Sequence, residues 1–522
     1  MSARNVIQYV PAKLISYFEN TNIPFSFYWV TFFSITVLRQ FIESYSQKWN
    51  YFNSISPAFF GFYLHGMLCY LTIAMLITVI AYFITGISVA RILRVILPSF
   101  ILLIITPLLD LVFTRGAGAN IFYLLPDIKT DLLYTYLTVG GGYIGVTPGM
   151  RIEVLMVILG CYLYFRAKKL NVIPSLLSAW TVYTSIFLIG VSPYFIKWFL
   201  GLLGMKFILT NELMIHFYLI LMLILVPLLF YLNDKKTFES VTGAINQQWL
   251  VHHELMLILG VILGFSNVVD VASGIAPAYQ NSMINIILCM TGIVYLHVAL
   301  AAKRIAMQSA SKKNNAEAPG RIGVLASKYN LIANICILLA ILYPLFSDVK
   351  SAFLISLTAA SMYVYSMPPL RLKRAVIISK LLVSLDALAF VMMGYLLIQY
   401  VERGFQNIVI WIFLLGYTVA ANLLDFEGSD LQGMHTVVNM IGARAAKCMI
   451  GAAFWLTYLA FYFVLPNIWL GVMLGFAGAV QFYLINRRNF NPGIALSFCN
   501  LTFILIMSFI LYYAGGNSID LS

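Results

Sequence analysis

The sequence predicts an all-α, polytopic integral membrane protein, and three observations support this fold class. Of the 522 residues, 61% are hydrophobic and only 10% are charged, whereas a soluble chain carries roughly 25% charged residues. Apolar runs long enough to cross a bilayer recur along the whole chain, for example at 217–232 and 410–424. These runs are continuous rather than alternating, so we expect helices, not barrel strands, to satisfy the backbone in lipid.

The apolar runs predict about fifteen membrane spans, in two sets separated by the polar stretch at 231–249. We therefore expect an N-terminal region of unknown role at 1–232, with six spans, and a second domain at 233–522, with nine. The predicted spans lie near 24–43, 58–86, 90–113, 149–167, 172–196, 209–232, 254–273, 283–304, 327–346, 350–367, 379–400, 407–424, 446–464, 467–486 and 494–513. No cleavable signal peptide is expected, because the first residues are polar and amphipathic.

The net charge of +13 is explained by membrane topology. If the N-terminus is cytoplasmic, most Lys and Arg fall on inner segments, as the positive-inside rule requires. In the second half the inner connections are long and charged, whereas the outer ones are short and nearly free of Lys and Arg. We expect a cytoplasmic N-terminus, an active site on the cytoplasmic face, contact with anionic membrane lipid, and no nucleic-acid partner.

Cysteine and histidine give no sign of a metal centre or of disulfides. The six cysteines are dispersed, mostly inside predicted spans, and include no C-x-x-C pair, so they are interpreted as small apolar residues. The six histidines are scattered as well, and the adjacent pair His252 and His253 is expected to point to different faces of one helix.

Three acids lie together at the cytoplasmic end of a predicted span, in a chain with only 19 Asp and Glu. They are Asp425, Glu427 and Asp430. Oxygen ligands at such a place suit Mg²⁺, which binds one or two carboxylates together with the phosphates of a substrate. A solvated helix end, whose acids offset nearby Lys and Arg, is an equally good interpretation of the spacing alone.

Three motifs in the second half resemble those of the UbiA-type intramembrane prenyltransferases. DFEGSDLQGMHTVVNMIG (425–442) is similar to the second aspartate-rich motif of that family, YSMPPLRLKR (365–374) to its Y-S-x-P-P-x-R-L-K loop, and NNAEAPGRI (314–322) to its N-R-P-L-P-S-G-R-I turn. The motifs occur in the order of the family, and the resemblance covers about residues 240–515. It implies a nine-helix bundle, preceded here by about six extra transmembrane helices.

The resemblance also implies a chemistry. Such enzymes bind an isoprenoid diphosphate at the cytoplasmic mouth of the bundle and transfer its prenyl group to a lipophilic, often aromatic acceptor, with Mg²⁺ neutralising the leaving diphosphate. By this resemblance Asp425, Glu427 and Asp430 would be the catalytic, Mg²⁺-binding acids. The diphosphate would be bound or attracted by Tyr365, Arg371, Lys373, Lys303, Arg304 and Arg321. Taken singly, the last three are also explained by the positive-inside rule.

The chain departs from the family in both acidic motifs. The first motif belongs at the end of the second span of this domain, yet 292–315 contains no Asp or Glu. His297, Ala301 and Ile305 stand at about the places of the Asn and two Asp of the family. In the second motif, Ser429 replaces an acid, and Asp430 follows one residue late, which is about 100° of rotation on a helix.

Three functions follow as hypotheses. The leading one is an enzyme, a prenyltransferase working with Mg²⁺ on a prenyl diphosphate. The alternative is a catalytically inactive UbiA-like protein that binds lipid or assists assembly of a membrane complex, with the N-terminal half contacting a membrane-protein partner. A third hypothesis treats the first half as a transporter or lipid-handling module, because Asp110 lies in a span beside a charged loop. Asp386, also inside a span, either borders the acceptor pocket or supports the bundle.

Overall fold

The computed structural model of the protein consists of helices joined by turns. It describes residues 3–46, 57–119, 121, 123–124, 131–143, 145–202, 209–266, 276–311, 319–366, 376–398, 414–416, 418, 437–464 and 467–516. Every regular element within these ranges is a helix, and none of them is a strand. The predicted all-α class is confirmed for this part of the chain.

The chain divides into two compact units, Met1–Glu239 and Ser240–Ser522. The first unit contains the α-helices α1 Ala3–Asn20, α2 Phe25–Ser46, α3 Pro57–Thr85, α4 Val89–Ser99, α5 Ile105–Phe113, α6 Leu132–Leu137, α7 Pro148–Ala167, α8 Val172–Gly190, α9 Ser192–Leu202 and α10 Asn211–Asn233. Helix α11, Lys235–Gly243, carries the boundary. The second unit contains α12 Gln247–Ser266, α13 Ala276–Ser311, α14 Pro319–Leu345, α15 Val349–Ser366, α16 Val376–Ile398, α17 Val437–Ile441, α18 Ala443–Val464, α19 Ile468–Asn486 and α20 Pro492–Gly516.

Eleven helices among the described residues are long and apolar enough to cross a membrane, which supports a multi-pass membrane protein. Six of them lie in the first unit, and each coincides with a predicted span. Five lie in the second unit, where the predicted span at 350–367 is a shorter apolar helix, Val349–Tyr365. Helix α12 covers part of the predicted span at 254–273 and α18 covers the predicted span at 446–464, but neither helix is among the eleven. The predicted span at 407–424 lies mostly outside the described residues.

The third span of the first unit is continuous but changes its helical type. An α-helix, a 3₁₀-helix at Phe100–Ile104 and a second α-helix together form the span Val89–Phe113. Pro107 has no N–H to bond to the Leu103 carbonyl, and its ring crowds that oxygen, so the regular α-helical ladder is interrupted here. The change of helical type positions the following helix, α5, against α7.

Asp110 is buried at 1% exposure and holds the start of α7 against α5. Its carboxylate accepts hydrogen bonds from Thr147 Oγ1 at 2.6 Å and from the Gly149 backbone N at 2.9 Å. Thr147 in turn caps α7 by accepting a hydrogen bond from the Met150 N–H at 3.1 Å. The hydrogen bonds and the dipole at the N-terminus of α7 both stabilise the negative charge of this carboxylate, which explains why an acid is found inside a span.

In the second unit, α12 and α16 approach so closely that their backbones touch. A Cβ added at Gly260 would lie 1.9 Å from the Val391 carbonyl oxygen, and one added at Gly394 would lie 2.0 Å from the Leu257 carbonyl oxygen. Helices in lipid associate through such small residues, because the hydrophobic effect does not drive apolar helices together there. The two glycines therefore determine the spacing of this helix pair.

We expect Gly394→Ala to lower the thermal unfolding temperature of the purified protein in lipid nanodiscs, with a loss of about 1–3 kcal/mol from overpacking against backbone. A glycine-to-alanine change in an open helical position has the opposite sign, since alanine is the better helix former. The control is Gly243→Ala in α11, where an added Cβ meets nothing within 4 Å. A Gly394→Ala protein as stable as the control would show that the two helices are not in backbone contact.

Candidate functional site

Most of the predicted site residues lie outside the described part of the chain. Asp425, Glu427, Asp430, Arg371 and Lys373 all fall there. Arg321 belongs to the first turn of α14, without a described side chain. The structure therefore bears on the predicted site through Lys303, Arg304 and Tyr365, and through the helices that lead into the motifs.

The helices that precede two of the motifs end at the same side of the second unit. Helix α14 packs against both α13 and α15, and a short turn at 346–348 joins α14 to α15. Near the C-terminal ends of α13 and α15, Lys303 Nζ lies over the ring of Tyr363, 5.8 Å from its centroid. Lys303 is half-buried, Arg304 is exposed, and Tyr365 is half-buried in the last turn of α15. Three predicted diphosphate-binding residues thus lie on helix ends that meet.

The face of α13 that would carry the first acidic motif is closed by apolar packing. Ala301 is 2% exposed and belongs to a cluster with Val241, Ala302, Ala306, Tyr329 and Ala333, against which Ile305 also packs. A register shift of one residue replaces Ala301 and Ile305 by Ala302 and Ala306, which lie in the same cluster. These residues supply no oxygen ligand, so this face does not fit a Mg²⁺ ion shared with a diphosphate.

His297, at the place of the Asn of the family, is also used for packing. Its Nε2 lies 2.9 Å from Nδ1 of His253 on α12, and the ring of His253 lies 4.9 Å from that of Phe390 on α16. His252 faces elsewhere, with Nδ1 2.9 Å from Asn500 Oδ1 on α20. The adjacent histidines therefore join α12 to two different helices. Among the described residues, no group of three or more His, Cys, Asp or Glu is placed to hold a metal ion.

Two intramembrane acids of the second unit have contrasting surroundings. Asp386 on α16 accepts a hydrogen bond from Ser361 Oγ on α15 at 2.9 Å, which is a packing interaction between neighbouring helices. Both carboxylate oxygens of Glu254 are buried without a hydrogen-bond partner in the described part of the chain. Glu254 is not among the residues predicted from the sequence, although it is an acid beside two histidines at the start of an apolar run.

Comparisons with known proteins identify no relative of this chain. No family model matches it, and neither a curated protein nor a solved structure shows significant similarity. Assignment of function therefore depends on the residues of the chain and on how the structure arranges them.

We expect Ala301→Asp to destabilise the protein by about 3 kcal/mol, because an acid at this buried position meets only apolar neighbours within the membrane. Thermal unfolding in nanodiscs would measure the loss. Adding Mg²⁺ should not restore stability, since the described residues packed around position 301 include no second acid. The matched control is Gln308→Glu, which places an acid at an exposed position on the same helix. Recovery of Ala301→Asp by Mg²⁺ would instead reveal a latent metal site on this face.

Proposed function

We propose that the protein is a membrane-embedded prenyltransferase, and that its second unit is a nine-helix UbiA-like bundle. In this proposal the second unit binds an isoprenoid diphosphate and transfers the prenyl group to a lipophilic acceptor. The observation that supports it best is the contact of Lys303 with Tyr363, which joins the ends of the two helices leading into motifs 314–322 and 365–374. A diphosphate entering between these ends would meet Lys303 and Arg304 of α13 and, in this proposal, Arg371 and Lys373 of the motif that follows α15.

In this proposal the two sides of the site neutralise the diphosphate in different ways, one with basic side chains and the other with acids that hold Mg²⁺. One side of the site, on α13, presents Lys303 and Arg304 and no acid. The other side would present Asp425 and Glu427, which suit a single Mg²⁺ bridging to the diphosphate. Lys and Arg bind phosphate oxygens directly through charge-assisted hydrogen bonds, so they can replace part of the charge neutralisation that a second metal would supply.

The proposed reaction breaks the allylic C–O bond, and the bonding electron pair leaves with the diphosphate. The allylic carbon gains carbocation character and is attacked by electrons of the acceptor. An aromatic acceptor then loses a proton to water or to a nearby base. Arg371 and Lys373 would stabilise the negative charge that develops on the leaving group, which is an electrostatic contribution to the transition state.

The proposed orientation places the N-terminus and this site on the cytoplasmic side. The long inner connections of the second unit carry most of its Lys and Arg, which the positive-inside rule assigns to the cytoplasm. Helix α15 leads into one of these connections, and α14 is joined to α15 by a short turn at the opposite end.

A second candidate function is a non-catalytic UbiA-like protein that binds isoprenoid lipid or assists assembly of a membrane complex. The apolar closure of the α13 face around Ala301 favours it, because the residues at the expected place of the first acidic motif belong to the helix-packing core. In this case the first unit would be the region that contacts a membrane-protein partner.

The test of these two candidates is diphosphate release from geranylgeranyl diphosphate by the full-length protein in nanodiscs, with and without Mg²⁺. Prenyl transfer predicts Mg²⁺-dependent release, reduced about 100-fold in Asp425→Ala and in Arg371→Ala, since each variant loses a charge that stabilises the leaving group. Asp348→Ala is the control, because Asp348 lies at the α14–α15 turn, at the other end of these helices.

The non-catalytic candidate predicts a different pair of results. Geranylgeranyl thiodiphosphate, a slowly reacting analogue, would raise the unfolding temperature of the protein by binding the folded state. No diphosphate would be released, even with shorter or longer isoprenoid chains. Absence of both release and stabilisation would contradict both candidates.

A further inference from the structure

The first unit contains a cavity of about 390 Å³ that the proposed prenyl transfer does not use. It lies toward one end of the helices of this unit, where α2 and α8 end and where α3, α7 and α10 begin. Its volume falls within the range of small-molecule sites, which are largely apolar with a few polar groups placed to orient the ligand. The polar groups of its wall therefore indicate which ligand it takes.

The charged side chains of the wall carry more negative than positive charge. Arg39 and Glu43, on successive turns of α2, form a buried ion pair, and the guanidinium of Arg39 also lies 4.9 Å from the ring centroid of Tyr70. Glu153 on α7 accepts a hydrogen bond from the Thr106 hydroxyl. Among the described residues no basic side chain forms an ion pair with Glu153. The wall thus carries one more carboxylate than guanidinium, and this excess of negative charge favours a cationic ligand.

A carbonyl oxygen beside these charges lacks a donor. Gln40 is 3% exposed, and its Oε1 is buried with no hydrogen-bond partner within the described part of the chain. The amide lies directly over Gly66 on α3, where an added Cβ would be 1.5 Å from Gln40 Nε2. Gly66 therefore provides the space that the amide occupies. A buried acceptor without a donor lowers the stability of the protein, and a ligand N–H would remove that cost.

Aromatic side chains form much of the remaining wall. His65 Nε2 lies 2.5 Å from the Tyr123 hydroxyl, which lies 2.6 Å from the Tyr218 hydroxyl. Burial raises the pKa of Tyr123 well above its usual value, so this residue keeps its hydroxyl proton. Phe62, Tyr183 and Phe187 also line the cavity. Aromatic faces attract organic cations through their quadrupoles.

A second cavity of about 180 Å³ adjoins the first and is lined almost entirely by apolar side chains. The two cavities share a wall formed by Tyr70, Ile73, Glu153, Val154 and Ile186. A carboxylate therefore lies between an aromatic cavity and an apolar one. This arrangement fits a molecule that has a charged group next to an apolar body.

We propose that the first unit binds a small organic ammonium ion with an apolar body. The ammonium group donates hydrogen bonds to the Glu153 carboxylate and to Gln40 Oε1, and the body packs against the aromatic wall. Arg39 Nε also lacks a partner in the described part of the chain, so an organic anion is the competing occupant. Arg39 pairs with Glu43 and also acts on Glu153, so the wall sets one guanidinium against two carboxylates, and we therefore assign the site to a cation.

The test compares three probes of similar size on the full-length protein in nanodiscs at pH 7: 2-phenylethylammonium, 2-phenylethanol and phenylacetate. The ammonium ion should raise the unfolding temperature with increasing concentration, as a ligand of the folded state does. It should bind at least tenfold more tightly than the alcohol. Glu153→Gln should weaken ammonium binding at least tenfold, which is about 1.4 kcal/mol, and leave binding of the alcohol unchanged.

The control variant is Glu19→Gln. Glu19 is a buried acid of the same unit. Its carboxylate lies 2.5 Å from Lys168 Nζ, and it does not line the cavity. The Glu19→Gln protein should bind the ammonium ion as tightly as the unchanged protein does. Equal binding of ammonium ion and alcohol, unchanged ammonium binding by Glu153→Gln, or tighter binding of phenylacetate would each overturn the proposal.

A second measurement avoids reliance on folding of the Glu153 variant. Cys69 lines the cavity, and a protein that keeps only this cysteine can be labelled with 2-aminoethyl or 2-sulfonatoethyl methanethiosulfonate. The cationic reagent should react at least tenfold faster than the anionic one, and 2-phenylethylammonium should slow its reaction. A faster reaction with the anionic reagent would contradict the assignment of a cation site.

Discussion

The structure depends on one constraint: the hydrocarbon region of a membrane offers no water, so polar groups must find partners within the protein. The backbone meets this constraint by forming helices throughout the described residues. Buried charges meet it by pairing across helices, as Lys168 does with Glu19. Asp110 meets it through the donors of Thr147 and Gly149 at the start of α7. Each of these contacts also joins two helices, so the same interaction that stabilises a buried charge holds the helices in place.

The two units use their intramembrane polar side chains differently. In the second unit His253 and His297 bridge α12 and α13 directly. In the first unit, Gln40 and Glu153 face a cavity of molecular size, and Gln40 Oε1 has no hydrogen-bond partner among the described residues. Polar groups that bridge helices stabilise the fold, whereas polar groups held around a cavity lower its stability unless a ligand binds. This difference is the physical reason for placing a ligand site in the first unit.

The absence of the first acidic motif and the tight packing of α13 are two aspects of one change. Alanine at 301, 302 and 306 lets α14 approach α13, and Tyr329 and Ala333 fill the contact. Carboxylates at these positions would need both water and a metal ion, and the close approach leaves room for neither. The second unit has a packed helix pair at the place where the sequence resemblance would put the first acidic motif. The diphosphate chemistry that we propose would therefore depend on the basic residues and on the acids at 425–430.

The sequence by itself determined the class of the protein and the placement of most of its helices. Whether a segment can cross a membrane depends on its own length and composition. The six spans predicted for the first unit therefore all coincide with long apolar helices in the structure. The absence of acids from 292–315 was likewise visible in the sequence. Local pattern also placed His252 and His253 on different helix faces, although it did not reveal their partners.

Only the tertiary structure decided what the isolated polar residues do. Gln40, Gly66 and Glu153 are far apart in the chain, and no periodicity predicts that they share one cavity. The same holds for Ala301, whose burial depends on Tyr329 and Ala333 from the next helix. Span prediction measures the transfer of one segment into lipid, whereas a binding site depends on side chains from several helices meeting in space. That second property arises from packing, which a single sequence does not display.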